Sequence, residues 1–293
     1  MQYLDALAQM PALVYGGTAL LGLVVGSFLN VVVLRLPRIM EQEWRQECAA
    51  LAGVEHADAQ SSEERLGLAH PPSHCPSCGH RIRPWENIPV LSFLWLRGRC
   101  SACGAPISWR YPLIESATAL LSLIVIWHFG PTLQGGCALL LTWGLIALAL
   151  IDFDTQLLPD DITLPLLWLG LLLSVWQVFV DSPTAIIGAV AGYMGLWLIF
   201  HLFRLLTGKE GMGRGDFKLL ALFGAWLGWQ ELPQILLLST IPGALFGIAL
   251  IASGRGQRHT PIAFGPFLVI AGWISLIWGE SITGAYLRWT GVG

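Results

Sequence analysis

Residues 211–229 read Gly-Met-Gly-Arg-Gly-Asp-Phe-Lys-Leu-Leu-Ala-Leu-Phe-Gly-Ala-Trp-Leu-Gly-Trp. A glycine-rich, charged lead-in, Gly211 to Lys218, opens without a break onto an apolar run from Leu219 to Trp229. Asp216 therefore stands at the mouth of an apolar helix. Beside lipid a carboxylate is costly unless it has a task. Glycines 211, 213 and 215 are expected to take positive φ and to let the backbone approach another segment closely. The best partner for Asp216 elsewhere in the sequence is Asp152, in Leu150-Ile-Asp-Phe-Asp154, at the end of a second apolar run.

The rest of the chain has the same character. Of its 293 residues 55% are apolar and 12% charged, against about a quarter charged in a soluble domain. The composition predicts an all-α polytopic membrane protein. A net charge of −3 with no basic stripe gives nucleic acid nothing to bind. Fourteen tryptophans suit belts at the membrane interfaces. Apolar runs lie at 12–34, 112–130, 134–151, 162–180, 184–206, 217–229, 232–252 and 262–279, which predicts eight membrane helices, the sixth short enough to be tilted, kinked or only partly spanning. The breaks between them are Gly130-Pro131, Asp181-Ser-Pro183, Glu231-Leu-Pro233 and Arg255 to Pro261. Residues 1–34 read as a first transmembrane helix, 35–111 as a polar region with a zinc knuckle at 74–104, and 112–293 as a membrane core. Gly-x-x-x-Gly pairs at 188/192, 224/228 and 243/247 are expected to pack helices within the chain.

Charge sets the topology. Asp5 precedes the first run, and Arg35 and Arg38 follow it, the reverse of a cleaved signal. Nine of the sixteen Lys and Arg lie in 35–111. With that stretch cytoplasmic, the loops at 152–161, 207–216 and 253–261 are cytoplasmic too, and every Lys and Arg except Arg288 lies on that side or at its border. Asp152 and Asp216 then share one membrane face. The part from Glu41 to Ala69 is acidic and Ala-rich, helical or partly disordered, and carries no assigned chemistry.

Cys75-Pro-Ser-Cys78 and Cys100-Ser-Ala-Cys103 are separated by 21 residues, and each pair is followed by glycine, Gly79 and Gly104. Four thiolates so spaced predict a closed, structural zinc site held by Cys75, Cys78, Cys100 and Cys103. A reducing cytoplasmic face argues against two disulfides. His70, His74 and His80 read as surface histidines, Cys48 has no partner at metal spacing, and Cys137 reads as a small core residue.

The acids of interest are Asp152, Asp154, Asp160, Asp161, Glu210 and Asp216. Asp154 and Asp161 read as solvated loop residues, and Asp160 or Asp161 as a helix N-cap. Asp152 and Asp216 held near contact would share one proton, one carboxylate activating water and the other polarising a carbonyl, as in an aspartic protease. The bare glycine backbone before Asp216 would let a substrate strand lie against it. Intramembrane acids also serve proton or cation pathways, and a non-enzymatic scaffold docking through the knuckle is a third reading. A phosphate loop fits poorly, because no strand precedes Gly211-x-Gly-x-Gly and Lys218 is out of register.

Several stretches together carry a resemblance. Gly211-Met-Gly-Arg-Gly-Asp216-Phe-Lys resembles the Gly-x-Gly-Asp signature of the type IV prepilin leader peptidases. So do Gly26-Ser-Phe-Leu-Asn-Val31 through Arg35-Leu-Pro37, Cys75-Pro-x-Cys78, Asn87-Ile-Pro89, Leu96-Arg-Gly-Arg-Cys100, Arg110-Tyr-Pro112 with Glu115, and Leu157-Leu-Pro-Asp160, in the family's order. Arg214 stands where tyrosine is common. The resemblance implies an eight-span aspartic endopeptidase of the bacterial inner membrane, with its active site at the cytoplasmic face. Its partners would be type IV prepilins and type II secretion pseudopilins, whose basic leaders it cuts. It places the catalytic pair on Asp152 and Asp216, with Asp160 as fallback for the first position. It also implies N-methylation of the new terminus from S-adenosylmethionine, with peptidase activity alone as the alternative. No glycine-rich strand–helix signature for that methyl donor is visible, and its site is expected where the zinc region meets the membrane.

Overall fold

The computed structural model describes residues 10–52, 66–209, 212–253 and 263–290. Asp5, Glu210, Gly211 and the loop residues 254–262 lie outside them. The chain divides into two compact units, Met1–Thr132 and Leu133–Gly293.

The first unit holds three helices among the described residues: α1 (Pro11–Leu51), the single-turn α2 (Leu91–Trp95) and α3 (Arg110–Phe129). α1 does not stop with its apolar run at Leu34. It continues to Leu51, about 60 Å in all. Residues 39–51 contain neither Gly nor Pro and are rich in Glu, Gln, Met, Ala and Leu, all good helix formers. An Arg45–Glu41 pair at 2.6 Å supports that exposed end. α1 packs on α3 along a glycine pair the sequence reading passed over, Gly22 and Gly26. A Cβ at Gly22 would lie 2.6 Å from Ala119 Cα, and one at Gly26 would lie 2.7 Å from Glu115 Cα.

The second unit holds α4 (Leu133–Thr155), α5 (Asp160–Ser174), α6 (Ser182–Thr207), α7 (Arg214–Leu227), α8 (Leu232–Ala252) and α9 (Gly265–Thr290). All eight expected apolar helices are present. Six of them, α1, α3, α4, α6, α8 and α9, are long and apolar enough to cross a membrane. α5 and α7 are not: their 15 and 14 residues reach about 22 Å, against about 30 Å of hydrocarbon. α5 stops short of the expected residue 180 because the chain turns at Gln177, whose φ is 53°. α7 tolerates its length by being central. It packs on α5, α6 and α9, and Leu219 to Trp226 are buried throughout. The buried Trp226 donates its indole N–H to the Leu166 carbonyl at 2.8 Å.

The glycine pairs at 188/192 and 224/228 face one another across α6 and α7. A Cβ at Gly188 would lie 2.8 Å from the Gly224 carbonyl carbon and 3.0 Å from that of Gly228, and one at Gly192 would lie 2.6 Å from the Leu220 carbonyl oxygen. These pairs serve packing within the chain, as expected. Backbone cannot yield as a side chain does, so Gly188→Leu is expected to cost about 3 kcal/mol or more, read as a lower melting temperature in detergent. Gly16→Leu, with open space around its Cβ, should leave the melting temperature nearly unchanged.

Candidate active site and metal centre

The cysteines come together as two knuckles. Gly79 and Gly104 take φ of 71° and 73°, which only glycine adopts freely. Their N–H groups donate to the Cys75 and Cys100 carbonyls, each at 2.9 Å. Single antiparallel bridges, His74 with Arg81 and Arg99 with Pro106, close the two turns. The residues between the knuckles form a 3₁₀ turn (Pro84–Asn87) and α2, so the long spacing is filled by structure of its own. The four sulfurs lie within 4.8 Å of one another, with Cys75 Sγ and Cys103 Sγ 3.9 Å apart. Tetrahedral zinc with four thiolates needs sulfurs about 3.8 Å apart, so the cluster fits a metal ion.

The electrostatics favour a cation as well. The Ser77 and Cys78 N–H groups aimed at Cys75 Sγ lower its thiol to about 7, and those of Cys103 and Ala102 lower Cys100. Cys78 receives the His80 N–H, yet its neighbours Cys103 and Cys75 push it up to about 12. Thiols this crowded cannot all ionise without a positive ion among them. Around the cluster, Glu86 accepts from Ser101 Oγ at 2.5 Å and from the Arg83 N–H at 2.8 Å, which hold it at about 2. His80 Nε2 lies 3.2 Å from the same carboxylate. Arg35 on α1 ties the entry to this region by donating to the Gly67 and Pro71 carbonyls at 3.0 and 2.7 Å.

In the second unit, Asp152 lies in the last turn of α4 and Asp216 in the first turn of α7, both only 5% exposed. They are close enough for the charge of Asp152 to act on Asp216. Asp216 occupies the third position after the N-cap Gly213, and its carboxylate reaches back to the Gly213 N–H. That is the reciprocal half of a capping box, at the end of the helix where negative charge is favoured.

Asp152 is held by a residue the sequence reading missed. The Gly265 N–H, at the start of α9, hydrogen-bonds the Asp152 carboxylate. A Cβ at Gly265 would come 2.5 Å from Asp152 Oδ2, so a larger residue there would have to push the carboxylate aside. The available signal was Phe264-Gly265-Pro266, a glycine at the mouth of a third apolar run. Among the described residues Asp152 Oδ2 is buried without a hydrogen-bond partner, as is Glu231 Oε2.

The other expectations fare differently. Gly213 has φ −72° and Gly215 is helical, so positive φ is not what these two glycines provide. Gly215 provides close approach: a Cβ there would lie 2.8 Å from Leu158 Cβ. Its bare face is covered by protein, not left open for a substrate strand. Asp160 and Asp161 are not N-caps; Pro159 holds that position and the acids occupy the first turn of α5. Asp160 grips Lys218 Nζ with both oxygens at 2.7 Å, joining α5 to α7. Asp154 and Asp161 are exposed and Cys137 is buried.

Comparison with known proteins gives the family. Residues 20–129 match the Bacterial Peptidase A24 N-terminal domain, and residues 139–248, which contain both aspartates, match the Type IV leader peptidase family. A Pseudomonas aeruginosa protein named prepilin leader peptidase/N-methyltransferase is 55% identical over 99% of each chain. This chain belongs to the type IV leader peptidase family. Proteins of the same name from Legionella pneumophila and Xanthomonas campestris are 47% and 46% identical, the first over 94% of this chain and 96% of its own, the second over the whole of both. No solved structure matches the chain. As a family member with six helices fit to cross a bilayer, it is a multi-pass membrane protein.

Proposed function

We propose that this protein cleaves the leader from type IV prepilins and type II secretion pseudopilins, using Asp152 and Asp216, and then methylates the new N-terminal residue. The observation that carries the peptidase half is two buried carboxylates from the ends of separate helices, near enough for the charge of one to act on the other. The full-length likeness to proteins named for both activities supports the second half.

In this mechanism the two carboxylates share one proton between them. The ionised one takes a proton from water as its oxygen attacks the scissile carbonyl carbon. The protonated one donates to the carbonyl oxygen. A gem-diol forms, and its collapse breaks the C–N bond and returns a proton to the departing amine. The Gly265 and Gly213 N–H groups hold the two acids in place, and the surrounding apolar helices exclude bulk water. The step needs no metal. Zinc at Cys75, Cys78, Cys100 and Cys103 would be structural, fixing the two knuckles. S-adenosylmethionine is the methyl donor and is consumed as a substrate. The positive-inside pattern supports a bacterial inner-membrane location with the aspartates at the cytoplasmic face.

The test is purified protein in detergent with a prepilin, with and without S-adenosylmethionine, read by product mass. Loss of the leader is expected in both, and one added methyl mass only with the donor. An uncut prepilin would overturn the peptidase reading. A cut, unmethylated product would overturn the methylation half alone.

A further inference from the structure

Helix α2 turns its apolar side outward. Leu91, Leu94 and Trp95, spaced i, i+3, i+4 on one face, are exposed, Trp95 to 81%. The inward residue is Phe93, buried with its ring 4.7 Å from that of Trp109. This presentation is fixed at both ends. Val90 adopts φ 60° and ψ −46°, a strained conformation for a β-branched residue. Its N–H is held by Glu115 Oε2 at 2.7 Å, a buried carboxylate of α3. After α2, Gly98 turns at φ 67°, and its N–H donates to the Phe93 carbonyl at 2.8 Å.

The face is continuous with a surface that meets lipid. α3 crosses the membrane, and its exposed large residues Leu113, Leu120 and Trp127 recur every seventh position, one stripe along the helix. Trp109, 72% exposed, lies one turn before Leu113 at the end of that stripe, the depth at which tryptophan favours the bilayer interface. Its ring contact with Phe93 joins the stripe to α2. Beside it a concavity is lined by Leu94, Arg97, Arg99 and Trp109, and guanidinium groups pair well with phosphate. A wholly aqueous region would bury three large apolar side chains before exposing them together.

We propose that α2 and Trp109 form an interfacial membrane anchor. Leu91, Leu94 and Trp95 enter the headgroup–acyl boundary of the bilayer that α3 crosses, and Arg97 and Arg99 hold phosphates of anionic lipids. The four-cysteine region is thus seated on the membrane at its middle as well as tethered at its ends. The inference does not depend on the cleavage chemistry.

To test it, full-length protein with p-benzoylphenylalanine in place of Trp95, and in a second variant in place of Leu91, is placed in nanodiscs of phosphatidylcholine with or without phosphatidylglycerol. After irradiation, adducts are read by mass. Lipid adducts are expected at both positions but not at Ala102, an exposed knuckle residue. Changing Arg97→Gln and Arg99→Gln together should reduce the phosphatidylglycerol share of the adducts by about fivefold per arginine. Adducts equally frequent at Ala102, none at the two α2 positions, or a phosphatidylglycerol share unmoved by the arginine changes would each overturn the proposal. So would crosslinks to a second copy, or crosslinks seen only once prepilin is added, which would give the face to a protein partner.

Discussion

Asp216→Asn and Asp152→Asn are each expected to lower prepilin cleavage by about three orders of magnitude or more, with the protein still folded and its metal content unchanged. The amide matches the carboxylate in volume, so the packing of α4 against its neighbours has no reason to shift. What it cannot do is take a proton from water at one site or share one at the other. The two changes should be non-additive, because removing either member already removes the unit; the double variant should be little slower than either single one. Asp160→Asn is the control. Asp160 is half exposed and engaged with Lys218, and exposed ion pairs contribute about 1 kcal/mol or less. Its loss should lower the melting temperature slightly and leave most cleavage intact. Rate constants with one prepilin, beside melting curves, decide the matter. Full activity in either dyad variant would remove that residue from the catalytic pair, and loss of cleavage in Asp160→Asn without loss of fold would bring that acid back.

What the sequence could and could not reveal follows from which interactions are local. The apolar runs that became eight helices were legible because a membrane helix satisfies its own backbone, so length and hydropathy suffice. The two knuckles were legible because Cys-x-x-Cys-Gly closes within five residues. Asp152 and Asp216 could be paired only by the charge topology that put them on one face and by a resemblance. Their distance in sequence is bridged by tertiary packing alone. Gly265 escaped notice because its role, an N–H aimed at a carboxylate on another helix, leaves no local trace beyond a glycine at a helix start. Gly213 and Gly215 show the opposite error. Their flexibility was read from composition, but at Gly215 it is the missing Cβ that matters, since Leu158 fills the space. The length of α5 was misjudged for a related reason: residues 175–180 are apolar except for Gln177, and the turn at Gln177 interrupts them.

Cys75→Ser is expected to release the metal from the full-length protein and to collapse the region between α1 and α3. The described residues of 66–109 are held by few elements: a 3₁₀ turn, the single turn of α2 and two isolated bridges. Structural zinc supplies about 10–16 kcal/mol to such small folds, far more than the buried Phe93 and the Glu86 hydrogen bonds can. With one thiolate replaced by a hydroxyl, the closed four-sulfur site is lost, and the three remaining thiols again repel one another's ionised forms. Metal analysis should fall from about one ion per chain to near zero, and limited proteolysis should cut between residues 66 and 109, where wild type is expected to resist. The dyad lies in the other unit on its own helices, so cleavage should fall much less than metal content does, while methylation follows the metal. Cys137→Ser, which removes a buried thiol far in sequence from the cluster, should keep its metal. A Cys75→Ser protein that retains full metal and an intact proteolytic pattern would mean that three sulfurs suffice and that the knuckles are held by their glycine turns, not by the ion.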